Sequence, residues 1–177
     1  LYSFAVGDRT NANNSWDVAI GSQTKATGSQ SFAGGDASIA SGLTSFAFGS
    51  QAEATATDAI SIGWTTIASA IYAVAIGQGS QATGSGSTAI GNTNIASGSN
   101  SYAFGVGSLA SNTDSIAIGN GVKSSGVDSI SLGRWINATN TNSILIGGGV
   151  SNLIRLTNAY PNSLLIGFPL NGAIAKS

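Results

Sequence analysis

Residues 115–119 have the sequence SIAIG, and this motif decides the fold because its variants recur along the chain at a constant spacing. Copies such as DVAIG (17–21) and SFAFG (45–49) all end in glycine. The closing glycine recurs at every fourteenth position through eleven copies, at Gly7, Gly21, Gly35, Gly49, Gly63, Gly77, Gly91, Gly105, Gly119, Gly133 and Gly147. A twelfth copy, SLLIG (163–167), follows after a longer gap and closes at Gly167. An unbroken short period indicates a solenoid with one coil per repeat.

Two further columns share this period and predict how each coil is built. Alanine occupies the fifth position after the closing glycine in nearly every copy, as at Ala82 and Ala96, and glycine or asparagine dominates two positions later. Glycine and asparagine reach positive φ cheaply, so both glycine-rich columns are expected at corners. Within the motif, large and small apolar residues alternate, as in Ile116-Ala117-Ile118, which is typical of a short strand. No apolar stripe of helical spacing exists, and we therefore predict an all-β parallel solenoid with two short strands per coil.

The composition excludes several classes of function. Only 13 of 177 residues are charged, and His and Cys are absent, so thiol, histidine-dependent and ordinary zinc chemistry cannot occur. The formal net charge of −1 gives no basic surface for nucleic acid. No apolar run reaches the ~18 residues needed to span a bilayer, so we expect no membrane contact by this segment. No cofactor or metal site is predicted.

A column of small residues occupies the middle of the motif in almost every copy. So short a coil encloses little, and we expect the two larger side chains of each motif, together with one from the second strand, to fill its lumen. The small column would then lie outside, where a solvated face would instead carry Lys, Glu or Thr. An unbroken ladder of methyl-sized groups suits close backbone contact, and we predict that it packs against further copies of the same chain. Its members are Ala5, Ala19, Ala33, Ala47, Ser61, Ala75, Ala89, Ala103, Ala117 and Ser131.

The stretch STAIGNTNIASG (87–98) resembles the head repeat of trimeric autotransporter adhesins of the YadA type, and the resemblance covers residues 1–149. It implies a left-handed parallel β-roll, three copies of which pack about a threefold axis. Carried over, the small column faces that axis, with the interface formed by Ala19, Ala47, Ala75, Ala89, Ala103 and Ala117. The larger column would fill each roll, with Ile20, Phe48, Ile62, Ile76, Ile90, Phe104, Ile118, Leu132 and Ile146.

The resemblance implies a non-enzymatic surface adhesin head that binds host matrix proteins or glycans as a homotrimer. It places the chain outside the cell, anchored to an outer membrane through parts beyond this sequence. The chain shows neither the heptads of a stalk nor long membrane strands. A segment of a phage tail fibre, on a virion, or of a structural extracellular filament remains the alternative.

The repeat loses its register after Gly147, and residues 150–177 are predicted to form a C-terminal cap or a junction to a following segment. Both prolines, Pro161 and Pro169, lie in this region. Proline cannot donate to a strand ladder and therefore suits a terminating coil. The predicted division is a β-roll over residues 1–149, followed by this segment.

Candidate site residues are few. Asp114 and Asp128 share a phase and could stack closely enough to bind a cation, although Asn100 and Asn142 in the same column favour a simple corner role. Glu53 is the only glutamate, so no carboxylate pair for glycoside cleavage is apparent and no enzyme is predicted. The aromatic residues Trp16, Trp64, Tyr72 and Trp135 fall at or beside corners, where they could contact an extracellular protein or glycan.

Overall fold

The computed structural model describes residues 2–151 and 155–167, which form a parallel β-solenoid of two sheets. Each coil contributes one strand to each sheet. The long sheet contains β1 (Phe4–Asp8), β3 (Val18–Ser22), β5 (Phe32–Asp36), β7 (Phe46–Ser50), β9 (Ile60–Trp64), β11 (Val74–Gln78), β13 (Thr88–Asn92), β15 (Tyr102–Val106), β17 (Ile116–Asn120), β19 (Ile130–Arg134), β21 (Ile144–Gly148) and β23 (Leu164–Gly167).

The short sheet runs along the other side of the coils. It contains β2 (Asn11–Ala12), β4 (Lys25–Ala26), β6 (Ile39–Ala40), β8 (Glu53–Ala54), β10 (Ile67–Ala68), β12 (Gln81–Ala82), β14 (Ile95–Ala96), β16 (Leu109–Ala110), β18 (Lys123–Ser124), β20 (Ile136–Ala138) and β22 (Leu156–Asn158). All pairings in both sheets are parallel, and residues one repeat apart lie side by side, as Ala75 does with Ala89. The predicted all-β solenoid with one coil per repeat is confirmed. No helix in the described ranges is long and apolar enough to cross a membrane.

The coil interior is lined by small side chains, which corrects the predicted orientation of the motif. The column predicted to form a trimer interface, Ala19, Ala47, Ala75, Ala89, Ala103 and Ala117, has no accessible surface within the single chain. These methyl groups fill the lumen and cannot touch a second chain, so the interface assignment is wrong. The larger column points outward instead, with Phe48 50% exposed and Ile118 40% exposed. Two sheets joined by such short corners lie too close together to enclose an isoleucine or phenylalanine in every coil.

Several polar side chains inside the lumen form hydrogen bonds with the backbone of their own and neighbouring coils. Ser80 and Ser108 donate their Oγ–H groups to the carbonyl oxygens of Gly91 and Gly119, at 3.2 and 3.1 Å. The fully buried Asn94 donates through Nδ2 to the carbonyls of Ile90 and Gly105, both at 2.7 Å, and accepts from the Ser108 N–H at 2.8 Å. Buried polar groups are costly without partners, so these bonds tie successive coils together.

The corners are made mainly by residues other than glycine, contrary to expectation. The coils have two corner positions with left-handed backbone. The first lies two residues after the closing glycine, as at Gln23 (φ 56°) and Thr65 (φ 52°). The second lies seven residues after the first, as at Tyr72 (φ 60°). The closing glycines from Gly7 to Gly147 lie within the long strands at φ between 107° and 149°. The other glycine-rich column, which contains Gly28 and Gly42, favours glycine because successive coils approach closely there and not because of its φ. A Cβ at Gly28 would lie 1.8 Å from the carbonyl oxygen of Gly42.

The described part of the C-terminal segment continues both sheets. Leu156 pairs with Ile136, and Leu164 pairs with Ile144, so each pairing spans a longer stretch of chain than the regular repeat. Pro161 lies in a turn before β23, and Pro169 lies outside the described residues. The division into residues 1–149 and 150–177 remains a prediction for the rest of the segment.

One carboxylate, that of Asp17, is fully buried in the lumen. It occupies the first motif position, which is serine in most other copies. Its Oδ2 accepts the Asn14 N–H at 2.8 Å, and its Oδ1 accepts the Ser31 N–H at 3.1 Å and the Ser31 Oγ–H at 2.9 Å. Asp17 therefore joins the second and third coils.

Substitution Asp17→Ala should lower the free energy of unfolding by about 2 kcal/mol, because two backbone N–H groups lose their charged acceptor in a buried place. Denaturant unfolding followed by circular dichroism measures this loss. Asp17→Ser is the matched control, since Ser87 Oγ accepts the Gly84 N–H at 3.2 Å in the equivalent position. Equal stability of the alanine variant and the parent chain would contradict a structural role for this carboxylate.

Candidate interaction surface

The outer side of the long sheet is a continuous apolar surface, called here the apolar face. It is formed by the second and fourth residues of each motif, which alternate with the buried alanines and therefore point away from the lumen. At about 4.8 Å per coil, it runs for roughly 50 Å. Its members are Phe4, Val6, Val18, Ile20, Phe32, Gly34, Phe46, Phe48, Ile60, Ile62, Val74, Ile76, Thr88, Ile90, Tyr102, Phe104, Ile116, Ile118, Ile130, Leu132, Ile144, Ile146, Leu164 and Ile166.

The outer side of the short sheet has a different character. Charged and amide side chains such as Lys25, Glu53 and Gln81 alternate there with aliphatic ones such as Ile39 and Ile67. The apolar face carries no charged residue. A long exposed apolar patch on a soluble protein marks an interaction surface, and this contrast singles out the long sheet.

Neighbouring aromatic rings fill the gap in the apolar face that Gly34 leaves. Gly34 lacks a side chain, and a Cβ built there would lie 2.8 Å from Phe48 Cδ2 and 2.9 Å from Phe32 Cε1. The rings of Phe32 and Phe46 stack at 4.9 Å between centroids with an angle of 11°. The Phe32 and Phe48 rings therefore cover Gly34, which is buried as a result.

Two columns border the apolar face. The leading edge precedes each long strand and consists of Tyr2, Trp16, Gln30, Thr44, Asp58, Tyr72, Gly86, Asn100, Asp114, Asp128 and Asn142. The trailing edge ends each long strand and consists of Asp8, Ser22, Asp36, Ser50, Trp64, Gln78, Asn92, Val106, Asn120, Arg134 and Gly148.

The four aromatic residues singled out from the sequence lie on these edges or next to them. Trp16 and Tyr72 stand on the leading edge and are 60% and 63% exposed, and Trp64 on the trailing edge is 52% exposed. Trp135 follows Arg134, whose guanidinium lies 4.2 Å from the indole centroid. The structure does not gather these residues into one pocket, because they stand in different coils and on both edges.

Sequence reasoning missed one member of this group. Tyr2 packs against Trp16 at 5.1 Å between centroids with the rings tilted by 32°, which makes an exposed aromatic pair at the N-terminal end of the leading edge. The signal was present, because Tyr2 lies one full repeat before Trp16 and therefore in the same column. Tyr2 precedes the first copy of the motif, so the motif itself does not point to it.

The acidic residues of the leading edge occupy left-handed corners. Asp58, Asp114 and Asp128 have φ of 55°, 53° and 54°, a region that aspartate and asparagine tolerate well. Asp58 accepts a hydrogen bond from Thr44 Oγ1 in the preceding coil. Across residues 2–151 and 155–167, no three Asp, Glu, His or Cys side chains come together as a metal site. The geometry favours the corner role for Asp114 and Asp128 that Asn100 and Asn142 had suggested.

A shallow groove of about 310 Å³ lies on the other side of the trailing edge, near the N-terminal end. Arg9, Gln23, Lys25, Ala37 and Ile39 line it. Arg9 Nε is already paired with Asp8 Oδ2 at 3.0 Å, and both side chains are largely exposed. No carboxylate lines this groove, so it provides no pair of acids for general acid–base catalysis.

Comparison with known proteins agrees with this geometry. A family model, the YadA head domain repeat (2 copies), matches residues 17–38, 40–66, 68–94 and 96–121, which make up more than half of the chain. The last three matched segments begin at positions 40, 68 and 96, and the starts of these three segments are two coils apart. A comparison with curated proteins gives no match. The resemblance found in the sequence is confirmed, and the chain belongs to the YadA head repeat family of adhesin-type head segments.

Proposed function

We propose that this chain acts as the trimeric head of a surface-displayed adhesin, which binds extracellular matrix proteins or glycans through its outer surface. Membership of the YadA head family supports an adhesin-type, non-enzymatic role outside the cell. The observation that carries the trimer is the apolar face, which is uncharged over about 50 Å and whose large side chains are partly or largely exposed in the single chain.

Three chains would bury their apolar faces around one axis. Aliphatic and aromatic side chains exposed to water cost free energy in proportion to their area, and covering them supplies the association energy. The short sheet, with its mixed polar and charged side chains, would remain on the outside. The methyl-lined lumen would then stabilise each coil, while the outward isoleucine, valine and phenylalanine columns would hold the chains together.

The ligand contacts are proposed at Trp16, Trp64, Tyr72 and Trp135. These residues border the apolar face or lie next to its border, so in a trimer they would line the three outer seams, where a large partner can reach them. Aromatic side chains offer both a flat apolar surface and a hydrogen-bonding group, which suits sugars and protein surfaces. A rod with repeated seams also allows several weak contacts to act together.

The purified trimer should bind at least one member of a panel of immobilised matrix proteins and arrayed glycans. The double variant Trp16→Ala/Tyr72→Ala should weaken that binding by about tenfold or more, as expected for aromatic hot spots. Leu43→Ala serves as the control, because it removes a side chain of similar exposure (47%) without an aromatic ring. A trimer that binds no panel member would contradict the adhesive function, and unchanged binding by the double variant would remove the aromatic contacts from it.

A further inference from the structure

The two edges of the apolar face carry complementary side chains. The leading edge holds three carboxylates, Asp58, Asp114 and Asp128, and no cation. The trailing-edge residues six positions further along the chain are Trp64, Asn120 and Arg134, each of which can donate an N–H group. Asp8 and Asp36, the acids of the trailing edge, correspond in the same way to the donors Tyr2 and Gln30.

A closed threefold ring brings these edges together. Contacts in such a ring are heterologous, because each chain presents one surface to the next chain and a different one to the previous chain. If the apolar faces point to the axis, the leading edge of one chain meets the trailing edge of its neighbour. Contact between the two edges therefore rests on the trimer proposed above.

Pure rotation about the axis fixes the heights at which side chains meet. The chain rises about 4.8 Å along the axis in each coil. Two residues six positions apart therefore differ in height by about 2 Å. Asp128 therefore stands level with a point between Asn120 and Arg134 of the neighbouring chain, and closer to Arg134. The long arginine side chain readily spans a height difference of that size.

We propose that Asp128 of each chain pairs with Arg134 of the next chain, and that Asp58 and Asp114 accept hydrogen bonds from Trp64 and Asn120 in the same way. A carboxylate enclosed in a seam is costly without a partner, and these donors supply one. Arg134 already lies over Trp135, which holds the guanidinium at the trailing edge. The seam pairs set the angular orientation of the three chains, which the smooth apolar face alone would leave less well defined.

Cysteine substitution tests the pairing directly, since the natural chain has no cysteine. Within one chain, Asp128 and Arg134 stand at opposite ends of a strand, about 20 Å apart in extended geometry, so a disulfide cannot form there. In the proposed trimer, Asp128→Cys/Arg134→Cys should give a ladder ending at three times 17.4 kDa on a non-reducing denaturing gel. Each single-cysteine variant should stop short of that band.

Charge reversal tests the electrostatic part. Asp128→Arg should lower the melting temperature of the trimer by about 5 °C, because it places two cations together at each of three seams. Adding Arg134→Asp should restore most of the loss. A chain that is trimeric by light scattering but forms no covalent trimer and shows no rescue would overturn the seam pairing and leave the trimer intact. A monomeric chain would overturn the proposed function itself.

Discussion

Replacing Gly91 with alanine should abolish the native fold at the centre of the solenoid. Gly91 lies in β13 with φ of 126°, and a Cβ there would lie 2.1 Å from the carbonyl oxygen of Gly105 in the next coil. Backbone in the adjoining coil cannot move aside without breaking the ladder on both sheets. We expect a loss of at least about 4 kcal/mol in the free energy of unfolding, measured by urea titration with far-ultraviolet circular dichroism.

Gly107→Ala is the matched control for this effect. Gly107 also has positive φ (60°), but nothing lies within 4 Å of its added Cβ. Thr93 and Gln23 occupy the same corner column with φ of 52° and 56°. Alanine should therefore cost only about 1 kcal/mol at this site. Similar losses for the two variants would show that glycine acts through φ alone and not through the close approach of the coils.

The double variant Ile20→Asp/Ile118→Asp should convert the proposed trimer to a monomer while the coils stay folded. Both side chains belong to the apolar face and are 40% exposed in the single chain, so the change costs the isolated coil little. In the trimer, six carboxylates would lie near the axis without partners, and each such burial is strongly unfavourable. Light scattering should report about 17.4 kDa in place of three times that mass.

Ile95→Asp provides the comparison on the opposite sheet. Ile95 is 37% exposed and belongs to the outer side of the short sheet, so its replacement should leave the trimer unchanged. Circular dichroism of all variants separates dissociation from unfolding. A trimeric Ile20→Asp/Ile118→Asp protein would show that the chains associate through another surface.

The period alone predicted much of the fold. Eleven motif copies without a slip indicated the coil length, the parallel register and both strands of each coil, since only residues in the same phase can stack. The direction in which each side chain points was predicted wrongly. The alternation of Ile116, Ala117 and Ile118 indicates that the two faces of the strand differ, but it does not indicate which face is buried. The width of the lumen determines which face is buried. That width depends on corner geometry, which the identities of the corner residues do not reveal.

The candidate surface was predicted in part. Trp16, Trp64 and Tyr72 are exposed as their corner positions suggested. Their relation to the apolar face could not be foreseen, because the larger apolar column had been assigned to the interior. Once the isoleucine columns point outward, the same aromatic residues border the proposed association surface, and the edge carboxylates gain candidate partners in a second chain.

The hydrogen bonds between coils lie parallel to the long axis of the rod, and this has a mechanical consequence. Tension along that axis loads the coils in series, so the weakest coil opens first while the others hold. An opened coil releases up to about 48 Å of extended chain from a length that occupied about 4.8 Å. Each opened coil would thus become about ten times as long, so the head would gain about 43 Å for every coil lost and so limit the force that reaches its surface.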